Sequence, residues 1–224
     1  PRTMLLALYN DLSVSTLKKP LSGRLPVATR IVPAADRDRF YRRLKNELER
    51  GRKGYIILPL IQPSPQHPEL RSVETEAAAA KARWPGVPLA ALSGKSTAEQ
   101  KERVLKQFVK GAVRLLLATT VVEVGIDVTD ATFMVIENAD RYGLAQLYQL
   151  RGRVGRGSEL SHCFLIESSH STENGKLRLQ AIASHHDGFK IAELDLELRG
   201  GGVIAGLEQA GDLDFKLADI QRDH

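Results

Sequence analysis

A run of arginines and glycines, QLRGRVGRG at residues 149–157, has the residue types best suited to chemistry. It holds three arginines within six residues, separated by glycines. Guanidinium groups are planar, always charged and able to hold two phosphate oxygens at once. Glycines let a ligand or a neighbouring domain approach the backbone closely. The run therefore predicts stabilisation of charge developing on a phosphate, and its spacing argues against the alternative of a solvated basic helix end.

A second candidate segment, TTVVEVGID at residues 119–127, follows a short apolar strand predicted at residues 115–117. Its position predicts that it begins at the carboxyl end of that strand. Gly125 could bring backbone N–H groups to a nucleotide, and Asp127 could hold a ribose hydroxyl or an arginine. Taken alone, the segment is equally compatible with an ordinary turn, because many α/β proteins carry a similar sequence after a strand.

The elements that position these segments are predicted by hydrophobic patterning. Short apolar strands alternate with amphipathic helices from residue 36 to residue 167, which is typical of a parallel sheet covered by helices on both faces. Strands are predicted near 26–32 and at 55–60, 87–92, 115–117, 133–136 and 163–166. Helices are predicted at 36–50, 73–83 and 144–153, with another that opens at residues 96–99 and runs through Phe108. Gly51 is expected to end the first helix, and Ser96–Glu99 to form a capping box. Ligands of such folds bind at the carboxyl ends of the strands.

The pattern changes after Ser168. Residues 168–175 are polar and are interpreted as a linker, and helices are predicted at 176–185 and 189–198, before a glycine run at 200–202. We therefore predict two parts, an α/β lobe at residues 1–168 and a helical hairpin with a tail at residues 169–224.

Composition excludes some classes of protein. The balance of 42% hydrophobic and 26% charged residues is that of a globular protein, and no apolar run is long enough for a membrane span. Cys163 is the single cysteine, which excludes an intrachain disulfide and fits the cytoplasm, and we expect no metal site. The net charge of +5 mildly favours a polyanionic partner. The chain opens in mid-pattern without a methionine, so we expect a piece of a longer protein.

Taken together, the order of the two segments, their spacing of about thirty residues and the strand between them resemble motifs five and six of superfamily-two helicases. ENADRYGLAQL at 137–147 and DGFKIAELDLELRG at 187–200 are similar to segments shared by the RecG family and transcription-repair coupling factors. Residues 8–14, 22–27 and 55–61 favour the RecG family, and the resemblance extends to about residue 211. The loop at residues 200–205 departs from the family, where a proline and an acidic residue are usual.

This resemblance implies the C-terminal RecA-like lobe of a motor that moves on double-stranded DNA and remodels branched DNA. ATP and Mg²⁺ would be bound mainly by a first lobe that this sequence lacks. No P-loop is present, because Leu89 stands where the pattern before Lys95 and Ser96 needs glycine. The chain alone is therefore expected to be inactive.

The resemblance also implies roles for individual residues. Arg156 would be the arginine finger, with Arg153 as its partner on the γ-phosphate or on the acid of motif five. Nucleotide binding would involve Gln149, Gly125 and Asp127. The residues that contact DNA phosphates would be Thr119, Thr120 and Lys95. The residues that couple hydrolysis to movement would be Asp187, Glu197 and Arg199.

Three alternatives stay open from the sequence. A transcription-repair coupling translocase would have the same motor with RNA polymerase as its partner. A non-catalytic DNA-binding module would fit the basic charge but would leave the arginine–glycine run without a purpose. A metabolic nucleotide-binding domain is disfavoured because no G-x-G-x-x-G follows a strand.

Overall fold

The predicted parallel α/β fold is confirmed. The computed structural model describes residues 25–119 and 128–199, and these contain one six-stranded sheet in the order β1-β6-β5-β2-β4-β3. Every neighbouring pair of strands is parallel. The strands are β1 (Ala28–Val32), β2 (Lys53–Ile57), β3 (Leu89–Leu92), β4 (Leu115–Ala118), β5 (Ala131–Ile136) and β6 (His162–Ile166). The helices are α1 (Arg37–Glu49), α2 (Val73–Arg83), α3 (Ala98–Val109), α4 (Leu144–Arg151), α5 (Glu173–Ser184) and α6 (Gly188–Arg199).

Helices cover both faces of the sheet, which explains why the central strands are apolar without alternation. Every residue of β2, β4 and β5 is buried, whereas the edge strands β1 and β3 are only partly buried. Helices α1 and α2 pack on one face with Leu44, Leu48 and Trp84 in their core. Helices α3 to α6 contribute to the core on the other face. Strands that are covered on both sides lose the period of two that a half-exposed strand would show.

Local signals placed most helix ends within a few residues. Helix α2 has its predicted bounds, and α1 ends at Glu49, two residues before Gly51, whose φ is +82°. The capping box of α3 was predicted one residue too early. Thr97 is the N-cap, its hydroxyl accepts from Gln100 N at 3.2 Å, and the Gln100 side chain accepts from Thr97 N at 3.0 Å. The prediction was wrong because Ser96 is used in the preceding turn, where its hydroxyl accepts from Ser93 N.

The two helices after β6 belong to the same packed body as the sheet. Helix α5 begins at Glu173, within the segment predicted as a linker, because Thr172 accepts a hydrogen bond from Gly175 N and caps it. Leu179 and Ile182 of α5 and Ile191 of α6 lie in the core cluster that includes β4 and β5 residues. The division at residue 168 therefore stays a prediction, since the hydrophobic core is continuous across it. None of the helices in the described ranges is long and apolar enough to cross a membrane.

Because the strands are parallel, they all begin at one edge of the sheet, called here the amino edge, and end at the other, the carboxyl edge. Helix α4 follows β5, so it starts at the carboxyl edge and runs back to the amino edge. Residues 152–157 therefore lie at the amino edge. Lys95 and Thr119 follow β3 and β4 and lie at the carboxyl edge. The two groups of candidate residues are separated by the length of the strands.

Candidate functional site

The arginine segment, defined as residues 149–157, packs against the amino edge through its valine and glycine residues. Val154 is fully buried in the core between the two candidate arginines. Gly155 has a φ of +73°, and a Cβ there would lie 2.6 Å from Val27 Cγ2. At Gly157 a Cβ would lie 2.6 Å from the carbonyl oxygen of Thr129. Glycine is required at both positions because the segment touches the residues that lead into β1 and β5.

This packing leaves Arg153 and Arg156 half-buried on either side of Val154. The Arg156 Nε atom donates to the carbonyl of Gly152 at 3.2 Å, which fixes the direction of its side chain. Burial raises the pKa of the Tyr55 hydroxyl on β2, and the positive charges of Arg153 and Arg156 oppose that rise. Both guanidinium groups therefore lie within electrostatic range of one point on the sheet. The arrangement places two arginines on one tightly packed turn, which suits an anionic ligand.

Arg151, the first arginine of the segment, has a different position. It is 5% exposed, and its Nη1 atom donates to the carbonyl of Ile182 at 2.6 Å and to that of His185 at 2.8 Å. Its guanidinium also lies 5.2 Å from the centre of the Tyr148 ring. Burial lowers the pKa of Arg151, while the carbonyls at the end of α5 provide the partners that a buried cation needs. Arg151 therefore ties α4 to α5.

The sequence reasoning did not single out Arg151, although a signal was available. Leu144, Leu147 and Arg151 follow the i, i+3, i+7 spacing of one helix face, and the first two are fully buried. A charged residue on the buried face of a helix requires partners, which the sequence alone could not identify.

The bend between α5 and α6 is packed closely on α4. A Cβ at Gly188 would lie 2.7 Å from the Tyr148 hydroxyl oxygen and 3.0 Å from its Cζ atom. Asp187 is exposed and accepts a hydrogen bond from Phe189 N at 2.8 Å, so it caps the start of α6. Glu197 lies exposed near the other end of α6, and Arg199 is its last residue. Of the three predicted coupling residues, Asp187 thus has a clear structural contact.

The carboxyl edge carries the candidate DNA-binding residues. Lys95 is exposed in the turn between β3 and α3, and its Nζ atom donates to Gln62 Oε1 at 3.0 Å. Thr119 directly follows β4 and is only 7% exposed, and its hydroxyl has no hydrogen-bond partner within the described ranges. Thr120, Gly125 and Asp127 lie outside those ranges. Gln149 is exposed near the end of α4, at the amino edge.

Residues 25–119 and 128–199 contain no group of three or more His, Cys, Asp or Glu side chains that could hold a metal ion. The arginine segment could bind the phosphates of a nucleotide. A metal ion that accompanied the nucleotide would have to be held by other residues.

With this geometry established, comparison with known proteins identifies the family. The family described as helicase conserved C-terminal domain matches residues 39–158. This range includes β2 to β5 and the whole arginine segment. The chain belongs to this family.

Within the family, the chain is similar to the ATP-dependent DNA helicase RecG. It is 43% identical over 223 residues to RecG of Acidithiobacillus ferridurans and 42% identical over 223 residues to RecG of Thermotoga maritima. Both matches cover 100% of this chain but only 32% and 28% of those proteins. The chain therefore spans about a third of the length of the curated relatives it matches. Residues 185–224 also match the C-terminal part of RecG domain 3. The expected resemblance to RecG is confirmed.

Solved structures agree with this result. A structure of RecG bound to a three-way DNA junction matches with a TM-score of 0.74 and 40% sequence identity, covering 91% of this chain and 26% of that one. Saccharomyces cerevisiae Dbp5 bound to RNA and ADP BeF3 matches with a TM-score of 0.58 at 14% identity, covering 88% of this chain and 51% of that one. The second likeness shows the shared fold alone.

Proposed function

We propose that the intact protein is an ATP-driven translocase on double-stranded DNA that remodels branched DNA during recombination and repair. In this proposal it reverses stalled replication forks and migrates Holliday junctions, in the cytoplasm. The relatives that match the whole chain are RecG helicases, and the RecG structure that matches it is bound to a three-way DNA junction. The observation that carries the proposal is the direct bonding of Arg151, inside the arginine segment, to the helical pair α5–α6.

The amino edge would serve hydrolysis. ATP with Mg²⁺, held mainly by a first motor lobe, would supply the phosphoryl bond that is broken. Arg153 and Arg156 would face its phosphates and neutralise the charge that develops there, which is the role of an arginine finger. Val154 and Gly155 keep both side chains on a rigid support, so little reorganisation is needed when the lobes close. Gln149 would lie between the nucleotide and the lobe interface, and Gly125 and Asp127 would shape its nucleotide side.

The α5–α6 pair would convert lobe closure into movement. Any displacement of α4 is passed to α5 through the two Arg151 bonds and to the start of α6 through the contact between Tyr148 and Gly188. Asp187 caps α6 and so fixes its direction relative to α4. Glu197 and Arg199 lie at the far end of α6, where a rotation of the pair gives the largest displacement. We assign them the coupling of closure to stepping.

The carboxyl edge would carry the DNA. Lys95 is an exposed cation on a short turn, and Thr119 and Thr120 would contact the backbone through hydroxyl or N–H groups. Such contacts hold phosphates without reading bases, which suits a motor that must move along any sequence. The net charge of +5 has the sign required for this partner.

The decisive experiment uses the full-length protein and follows ATP-dependent remodelling of a synthetic replication fork by gel electrophoresis. We expect reversed fork products with the unmodified protein and none with Arg156→Ala at the same DNA occupancy. Hydrolysis without any fork remodelling would contradict the proposal and favour a polymerase-coupled translocase. The isolated 224-residue chain should hydrolyse no ATP with or without DNA, and measurable DNA-stimulated hydrolysis would refute the half-site interpretation.

A further inference from the structure

A buried polar segment at the end of β5, ENAD at residues 137–140, has no role in the proposal above. Glu137, Asn138 and Asp140 are each at most 5% exposed although all three side chains are polar. Buried polar groups are costly unless they are hydrogen-bonded, so their partners show what the segment holds in place. Those partners belong to four separate parts of the molecule, as described below.

Asn138 is the centre of this segment. Its backbone is left-handed, with a φ of 51° and a ψ of 45°, and it is the only non-glycine residue of the described ranges with a positive φ. Its side-chain Oδ1 atom accepts from Arg71 N at 3.0 Å. Its Nδ2 atom donates to the carbonyl of Glu69 at 3.3 Å and to Ser168 Oγ at 3.1 Å. An amide is needed here because the site requires one acceptor and two donors.

Two of these bonds hold the carboxyl-edge loop, defined as residues 61–71. The loop is closed at its base by a bridge between Leu60 and Ser72, where Val73 N donates to the carbonyl of Leu60 at 2.9 Å. It contains Gln62, whose side chain accepts from Lys95 Nζ at 3.0 Å. Asn138 therefore fixes the loop that in turn orients the candidate DNA-binding lysine.

The third bond, to Ser168, links Asn138 indirectly to the α5–α6 pair. Ser168, which accepts from Asn138, donates through its own N atom to Asp140 Oδ1 at 2.8 Å. The Arg178 Nη2 atom on α5 donates to the carbonyl of Asp140 at 2.8 Å. The middle of α5 and the carboxyl-edge loop are thus held by two nearby residues of one segment.

The neighbouring Glu137 makes the support rigid. Its Oε1 atom accepts from Arg37 Nε at 2.8 Å and from the Tyr41 hydroxyl at 2.5 Å, which joins the end of β5 to α1. Arg37 also bonds Glu76 of α2 at 2.8 Å. A left-handed residue that is held by bonds on all sides is costly to move, and such residues are concentrated at functional sites.

We propose that Asn138 is a positioning residue for DNA. It holds the carboxyl-edge loop, and through Gln62 the side chain of Lys95, in the geometry that binds the phosphate backbone. Through Ser168 and Asp140 it also joins this surface to α5. This inference rests on the proposed function, because it assigns the DNA-binding surface to the carboxyl edge. Asn138 does not contact the arginine segment. It therefore affects DNA binding and the coupling of hydrolysis to movement, and not the rate of hydrolysis itself.

The test compares three variants of the full-length protein. Asn138→Gly keeps the left-handed backbone accessible and removes all three side-chain bonds. Ser168→Ala removes a single oxygen and with it the bond that orients the Asn138 amide toward the loop. Tyr41→Phe removes a buried hydrogen bond to Glu137 on the same segment without touching the loop, so it controls for a loss of stability alone. Each variant is measured for its Tm, its Kd for forked DNA, its DNA-free hydrolysis rate and the amount of fork remodelled per ATP.

We expect Asn138→Gly to weaken DNA binding about tenfold and to lower the fork remodelled per ATP, with DNA-free hydrolysis unchanged. Ser168→Ala should act in the same direction by about threefold, which keeps the test valid if Asn138→Gly does not fold. Tyr41→Phe should lower Tm with no change in Kd. Equal Kd values for all three variants and the unmodified protein would overturn the inference. A failure of the proposed function would be visible separately, as the absence of fork remodelling by the unmodified protein.

Discussion

The amino and carboxyl edges of the sheet offer positive charge in two different ways. At the amino edge, Arg153 and Arg156 are half-buried on a turn that is held by a core valine and two closely packed glycines. At the carboxyl edge, Lys95 is an exposed cation on a short turn, and its ammonium group donates to Gln62. A planar guanidinium that can hold two oxygens suits a reacting phosphate whose position must be fixed, and an ammonium that can donate in several directions suits a DNA backbone that moves past. Under the proposed function, the amino edge would act on the nucleotide and the carboxyl edge would hold the DNA.

Helix α5 is the physical connection between these edges. It starts near the carboxyl edge, where Gly175 packs against Asp140, and it ends near the amino edge, where Arg151 bonds to the carbonyls of Ile182 and His185. A helix of 12 residues is about 18 Å long, which is enough to pass alongside a strand from one edge to the other. Variants at the two edges should therefore have different effects, and variants at the connection should separate hydrolysis from movement.

The largest effect is expected from the arginines of the amino edge. Arg153→Ala or Arg156→Ala in the intact protein should lower the rate of ATP hydrolysis about 1,000-fold, because charge on the transferred phosphoryl group is no longer neutralised. The Kd for forked DNA should stay within about threefold of the unmodified protein, since the proposed DNA-binding residues lie at the other edge. Steady-state hydrolysis and DNA titration measure both, with the exposed Arg103→Ala on α3 as the matched control. Normal hydrolysis in both variants would refute the finger assignment.

A smaller effect, of a different kind, is expected at the connection. Gly188→Ala places a Cβ within 3.0 Å of the Tyr148 ring and should push the start of α6 away from α4. Fork remodelling per ATP should fall about tenfold, while hydrolysis stays within about threefold, because the arginine segment is untouched. Ser184→Ala, at the exposed end of α5, is the control and should leave both rates unchanged. An equal loss of hydrolysis and remodelling would mean that the pair does not act as a separate coupling element.

At the carboxyl edge the effect should be smaller again and should depend on salt. Lys95→Ala should raise the Kd for duplex DNA about fivefold and reduce the slope of log Kd against log salt concentration by about 1. Lys110→Ala removes an exposed lysine that follows α3 at the amino edge, and it should leave both quantities unchanged. Equal losses of DNA affinity in the two lysine variants would contradict the assignment of DNA binding to the carboxyl edge.

The smallest effect concerns the core between the edges. Burial raises the pKa of the Cys163 thiol to about 12, so the neutral thiol is favoured in the folded chain, whereas an exposed thiol has a pKa of about 8.5. At pH 8 a disulfide reagent should therefore label Cys163 only when the chain opens. The labelling rate should be the same in Lys95→Ala, Gly188→Ala and unmodified protein, which would show that their functional losses are not due to unfolding. Fast labelling of the native protein would contradict the buried position of β6.

Patterns that depend on neighbouring residues were predictable from the sequence. The bounds of α2 follow from residues within one or two turns, and the arginine segment is recognisable because its chemistry lies in nine consecutive residues. The capping box of α3 was misplaced because Ser96 and Thr97 have equivalent side chains, and only the preceding turn determines which one caps. The start of α5 was missed for a related reason, since Thr172 lies within a polar run that resembles a linker.

The sequence by itself determined the parallel α/β class, the order of its elements and the two arginines suited to a phosphate, because these depend on local periodicity and side-chain type. Only the tertiary structure decided that the arginine segment and Lys95 lie at opposite edges, since that follows from the direction in which α4 returns across the sheet. It also decided the roles of Arg151 and Asn138. Their partners lie 30 to 69 positions away in sequence, and no local pattern specifies which distant partner a buried polar group will meet.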